Sequence, residues 1–258
     1  MSRTTRRFGW KPSHPSLRAP LLTFAEADDP TLPPIEDLGP FETQHGDQGS
    51  IGQCTGGASV WGILEFMRQK QGEPYVRLSA AFAYTLARMA EGTLDHDAGA
   101  SIADVMNAVM KYGACPESVF PSDRLYTSPP PQEAFDAAIP FKGLVRYSVA
   151  QTRNQVRGAL SSGLPIIIGF DVYENFMGIG RDGIMPMPSG SMIGGHAVDV
   201  MGHGRIIQGA PNNPYCRCRN DWTNADGSPW GDFGDFWMPE EHLLGTHCSE
   251  LTVLQLVS

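Results

Sequence analysis

DQGSIGQCTGGASVWGILEF, residues 47–66, places a cysteine where a glycine-rich loop turns into an apolar helical pattern. The pattern runs on to about Lys70, with Val60, Ile63, Leu64 and Met67 on one face. A helix that begins just after Cys54 bears on its sulfur. The unpaired N–H groups of the first turn and the helix dipole favour the thiolate, the form that attacks a carbonyl carbon. The competing reading is a core cysteine, because free Cys is among the most buried residue types. Cys54 alone therefore decides nothing, and the partners a nucleophile needs must be sought elsewhere in the chain.

The bulk properties narrow the search. A chain of 258 residues, 41% hydrophobic and 18% charged, can bury a sizeable core as one large domain or as two lobes sharing a cleft. Its formal net charge of −9 argues against nucleic acid or an anionic membrane as the main partner. No apolar run reaches the roughly 18 residues of a membrane span. The basic start MSRTTRRFGWKPSHPSLRAP lacks the apolar region of a secretory signal. Five cysteines (Cys54, Cys115, Cys216, Cys218 and Cys248) without such a signal suggest reduced thiols and a cytoplasmic protein. Cys216 and Cys218 have no second pair to complete a zinc site and read as two small apolar side chains on one face of a strand.

Residues 1–34 hold six prolines and little periodicity and read as an arm. Phe8 and Trp10, flanking Gly9, suggest that the arm is anchored, and the expectation is that it lies over a cleft. Residues 35–258 form the body. Helices are expected over 54–70, 77–92 (capped by Ser79), 101–113 (capped by Ser101 with Asp104 in the first turn) and 151–163. Strand patterns occupy 165–173, 196–204, 215–222 and 232–239. A helical lobe over about 50–125 followed by a β-rich lobe over about 126–258 is an α+β arrangement, with a natural cleft between its halves.

A nucleophilic cysteine needs a base and an orienter for that base. Of the seven histidines, His196 opens the strand pattern HAVDVMG after Gly194-Gly195, which lets the backbone approach closely while the strand holds the ring. His203, in GHG at the far end of the same strand, is its rival. Asn220 ends another strand pattern, and its side-chain oxygen can accept an imidazole N–H and fix the tautomer. Trp222, two residues on, can shield that bond from water. The Gln48 amide can donate to an oxyanion together with the Cys54 N–H. Singly, each also fits a bland structural role: a loop His, a turn Asn, a polar loop Gln.

Together these residues resemble the papain-like cysteine peptidases. The match lies in QGSIGQC at Gln48–Cys54, GGHAVDVMGHG at Gly194–Gly204 and RNDW with WGDFGDFWMP across Arg219–Pro239. The opening FGWKP, the loop LDHDAGAS, the segment KYGACPES (Lys111–Ser118) and GGHAV are similar to the bacterial and viral branch typified by xylellain, so the resemblance covers nearly the whole chain. His196 follows Cys54 by 142 residues (196 − 54), within the about 130–150 of papain-like enzymes. The resemblance implies a two-lobed fold, with a helical left lobe, a β-barrel-like right lobe and the active site in the cleft. It implies Cys54 as nucleophile, His196 as base, Asn220 as orienter and Gln48 in the oxyanion pocket. A thioester acyl-enzyme on a polypeptide substrate follows, with no metal or organic cofactor. An acyltransferase or amidase using the same residues, or a non-catalytic peptide-binding member, are the alternatives.

Four departures mark this chain. Ile51 stands where the family has a Cys, so the usual lobe disulfide is missing. Thr55 stands where most members have Trp. Gly56-Gly57 weaken the first helical turn by about 1 kcal/mol each relative to Ala. Asp221 replaces the usual Ser after the Asn. LDHDAGAS superficially mimics a calcium loop but lacks the full ligand pattern.

Overall fold

The computed structural model describes residues 6–24, 36–142 and 144–256. Residues 1–5 and 25–34 of the arm, and the adjoining Ile35, lie outside the described residues.

The helix carrying the cysteine forms in three consecutive pieces: α1 (Cys54–Gly57), a π-helical stretch (Ala58–Leu64) and α2 (Glu65–Lys70). The first two pieces are wholly buried, and π geometry inside an α-helix is frequent at functional sites. Helix α3 (Ala80–Glu91) starts where the Ser79 hydroxyl accepts the Phe82 N–H at 2.9 Å. Helix α4 (Ile102–Tyr112) starts where Ser101 accepts the Asp104 N–H at 3.0 Å. Both caps were legible as hydroxyls ahead of an apolar period. Helix α5 (Gln132–Ala138), with no side-chain cap, was not anticipated. Helix α6 (Arg153–Ser161) begins after Thr152, and α7 (Glu240–Leu243) is a single turn.

One sheet holds the eight described strands: β1 (Leu21–Leu22), β2 (Glu36–Asp37), β3 (Leu144–Val149), β4 (Ile166–Tyr173), β5 (Met192–Arg205), β6 (Tyr215–Arg219), β7 (Asp235–Pro239) and β8 (Cys248–Leu256). Their order is β1-β3-β8-β4-β5-β6-β7, with β2 added to β5, and every pairing is antiparallel except β1 with β3. The fold is α+β, with a helical half ahead of a β-rich half. The central strand β5 pairs Phe170 of β4 with His196 and Asp199 with Arg219 of β6. That pairing sets His196 near the end of β6, where Asn220 follows.

Two strand expectations are shortened. Strand β6 stops at Arg219, which frees Asn220 and Trp222 to leave the sheet. The 232–239 run is a strand only from Asp235, because Phe233 (φ 56) and Gly234 (φ 107) break the extended backbone. Strand β5 instead begins four residues before His196 and takes Gly194-Gly195 into the sheet.

The C-terminal end of the sheet buries a histidine that the expected chemistry does not use. His242 is 1% exposed, neither of its ring nitrogens has a partner, and its ring packs edge-on to Phe170. Burial, and secondarily the His247 charge, push its pKa down to about 4. An unfolded chain takes up that proton near pH 6.5, so the stability tied to neutral His242 is complete above pH 6.5 and lost as pH falls toward 4. Between pH 7.5 and pH 4, His242→Leu should lose about 3 kcal/mol less stability than the wild type in urea melts. Identical losses in the two proteins would refute this assignment.

Candidate active site

Cys54 is the first residue of α1 and 1% exposed. The expectation of a thiolate at a helix start needs correcting for this conformation. Burial dominates and raises the thiol to about 11, only partly countered by backbone N–H groups of Ala197, Gly9, Thr55 and Trp10. Two of those four groups belong to the arm.

His196 is 1% exposed on β5. Its Nε2 meets Asn220 Oδ1 at 2.8 Å, the bond anticipated from the sequence. The Trp222 ring stacks on the imidazole with centroids 4.7 Å apart, and Phe170 and Phe176 stand edge-on to it. This apolar cage lowers the imidazole to about 4, with burial as the main cause. Nδ1 of His196 has no partner, so the Cys54 sulfur and the imidazole are not hydrogen-bonded to one another. His203, the rival, is buried at the other end of β5, 2.5 Å from a Glu240 oxygen, and Arg153 engages the same carboxylate.

Gln48 is 1% exposed and oriented at both ends. Its Oε1 accepts the Trp222 Nε1–H at 3.0 Å, which turns the NH₂ inward. That NH₂ donates to Ile51 O at 2.8 Å and to Arg7 O at 3.0 Å. A peptide carbonyl from the arm thus lies on the donor expected to serve an oxyanion.

The neighbouring arm residues continue the contact. Arg6 donates to Thr223 O, and its guanidinium lies 4.5 Å from the Trp222 ring centroid. Phe8 stands 6.3 Å from the His196 ring. The Ala100 N–H donates to Gly9 O at 2.8 Å, and the Trp10 N–H donates to Gly195 O at 3.0 Å. Trp10, 8% exposed, fills a slot that exists because Gly169 and Gly195 lack side chains. A Cβ on either would come within 2.0 or 2.5 Å of its ring. Farther along, Lys11 pairs with Glu91, and Ser13 bonds Glu250.

Sequence reasoning missed His45, whose Nδ1 meets Asn220 O at 3.0 Å from 175 residues away. No local pattern could have linked the two. Glu42, His45 and Asp235 bring three potential ligand atoms within 4.8 Å of one another. However, the Arg217 guanidinium bonds both carboxylates and supplies the positive charge there. In LDHDAGAS, Asp97 accepts the Gly52 N–H at 3.0 Å and the Tyr84 hydroxyl at 2.5 Å, tying this loop to the cysteine loop. All five cysteines are free thiols.

No family model matches the chain. An uncharacterized peptidase C1-like protein of Acanthamoeba polyphaga mimivirus is 30% identical over 287 residues, covering 100% of this chain and 89% of that relative. A cathepsin B-like cysteine proteinase of Caenorhabditis elegans is 30% identical over 138 residues, but the alignment covers 52% of this chain and 37% of that protein. Among solved structures, xylellain, a cysteine protease from Xylella fastidiosa, superposes with a TM-score of 0.85 at 28% identity, covering 100% of this chain and 99% of the other. A procathepsin B of Trypanosoma congolense superposes at 0.75 with 19% identity, covering 98% of this chain and 87% of the other, a likeness of fold alone. Its whole length aligned with a peptidase C1-like relative and folded like xylellain, the chain belongs to the papain-like cysteine peptidases.

Proposed function

We propose that the chain hydrolyses peptide bonds through Cys54, His196, Asn220 and Gln48, by way of a thioester. The observation that carries this reading is the His196–Asn220 bond at 2.8 Å under the Trp222 ring, with Gln48 held by the same Trp. The Cys54 thiolate attacks the scissile carbonyl and forms the C–S bond, while the Gln48 NH₂ and the Cys54 N–H hold the oxyanion. Imidazolium His196 gives its proton to the leaving amine as the C–N bond breaks. The neutral ring then takes a proton from water, whose oxygen attacks the thioester as the C–S bond breaks, releasing the acid and restoring the Cys54 thiolate and the imidazolium. Asn220 keeps the ring in the tautomer that leaves Nδ1 for the reacting atoms.

The arm contacts support a second element of the reading: residues 6–10 occupy the substrate groove and hold the enzyme closed, with Arg7 O in the oxyanion position. The five free thiols and the absence of the family's lobe disulfide fit a reducing compartment such as the cytoplasm.

Covalent labelling tests the nucleophile. An epoxide-type thiol inhibitor should add one equivalent at Cys54, located by peptide mass spectrometry, and leave Cys54→Ala unmodified. Adducts spread over Cys115, Cys216, Cys218 or Cys248 in place of Cys54 would sink the assignment.

A further inference from the structure

Two of the departures in the sequence meet in space. Asp221 follows Asn220, and Gly57 ends the first piece of the helix that begins at Cys54. The main chain of Asp221 is already part of the site. Its N–H donates to Asn220 Oδ1 at 3.0 Å, the oxygen that also meets His196 Nε2, and its carbonyl accepts the Gln48 N–H at 3.0 Å. Its side chain is only 6% exposed and is fixed, with Oδ1 accepting the Gly46 N–H at 3.1 Å. Oδ2 lies against Gly57, where a Cβ would stand 2.5 Å away. Any other residue at 57 would therefore displace the carboxylate. The glycine that weakens the nucleophile's helix is what admits the acid.

Burying a carboxylate is costly, and this one belongs to the residue that follows the asparagine bonded to His196. We propose that Asp221 is a positioning residue of the peptidase site, its carboxylate anchoring on the Gly46 N–H the main chain whose N–H holds Asn220 Oδ1 in register with His196. The same side chain favours the imidazolium over the neutral ring. The inference rests on reading Cys54 and His196 as nucleophile and base.

The other groups around His196 leave this task to Asp221. Trp222, Phe170, Phe176 and Phe8 present rings without charge. Arg6 of the arm works in the opposite direction, and Asp221 raises the imidazole against it. Cys54 stands at the helix start, and His45 meets the Asn220 carbonyl on one side and the Asp235 carboxylate on the other. Asp199 on β5 is fully buried, and burial first and the Asp221 charge second hold its carboxyl well above the usual range. Both causes disfavour its charged form.

The test is an NMR titration of the His196 ring in the full chain carrying Trp10→Ala, which loosens the arm; His196→Gln assigns the signal. Asp221→Asn, which keeps the shape, and Asp221→Ser should each move the midpoint down by at least about half a pH unit. Asp199→Asn should leave it in place. The alkaline limb of the kcat/KM profile should fall with the Asp221 variants, with kcat about tenfold lower and KM unchanged. An unmoved midpoint in a folded Asp221 variant overturns the inference, as does an equal shift in Asp199→Asn. Failure of both Asp221 variants to fold also overturns it, in favour of a purely structural role. The titration needs no turnover. An inactive parent chain would refute the peptidase reading while the titration still judged Asp221.

Discussion

Cys54→Ala should reduce kcat/KM for peptide hydrolysis by at least about 10⁴-fold, and His196→Ala by a similar factor. The two residues form one acid–base and nucleophile unit, so the double variant should be no worse than either alone. Asn220→Ala should cost less, about 10²-fold. It removes the 2.8 Å bond that sets the tautomer but leaves the ring caged between Trp222, Phe170 and Phe176. Gln48→Ala should also cost about 10²-fold, the loss of one oxyanion donor. It should lower kcat more than it raises KM, because the donor matters most once negative charge has developed. A fluorogenic peptide assayed with all variants in one arm background separates these effects. Substantial hydrolysis by Cys54→Ala would end the mechanism, and an additive double variant would end the claim that the pair acts together.

The sequence exposed those parts of the molecule that rest on local chemistry. Ser79 and Ser101 announce α3 and α4 because a hydroxyl ahead of an apolar period can do little else as well. His196 stood out because glycines precede it and an apolar strand follows. What stayed hidden depends on partners far apart in the chain. The Asn220–His45 contact spans 175 residues. Strand β8 takes its place by pairing with β3 and β4, from segments more than 75 residues earlier in the chain. The 232–239 run reads as one strand until the backbone at Phe233 and Gly234 is seen to turn. Gly57 illustrates the limit best. From the sequence it is a weak point in a helix, and only the approach of Asp221 Oδ2 explains why a side chain is absent. The state of the cysteine was also beyond the sequence. The helix start favours the thiolate, but burial of the sulfur, which the arm's Gly9 and Trp10 N–H groups reach, outweighs it.

That coverage leads to the second large effect. In the full chain, Trp10→Ala should raise kcat/KM about 100-fold over the wild type. Truncating a buried Trp costs about 3–5 kcal/mol where the site cannot collapse. The slot formed by Gly169 and Gly195 is lined by backbone and has little freedom to close. A difference of about 2.7 kcal/mol between the closed and open forms is a hundredfold change in population, and the open form alone has a free Gln48 donor and an uncovered sulfur. Acid should act in the same direction. Part of what lowers the His196 ring belongs to the arm, namely the Arg6 charge and the Phe8 ring, while the cage of Trp222, Phe170 and Phe176 stays. The closed form therefore loses part of its advantage as pH falls below about 6.5 toward 4. Alkylation of Cys54 should accelerate on acidification in the wild type relative to Trp10→Ala, in which the groove is already open. Equal hydrolysis and equal Cys54 labelling in the two proteins, at neutral and acidic pH alike, would mean that the arm does not control access to the site.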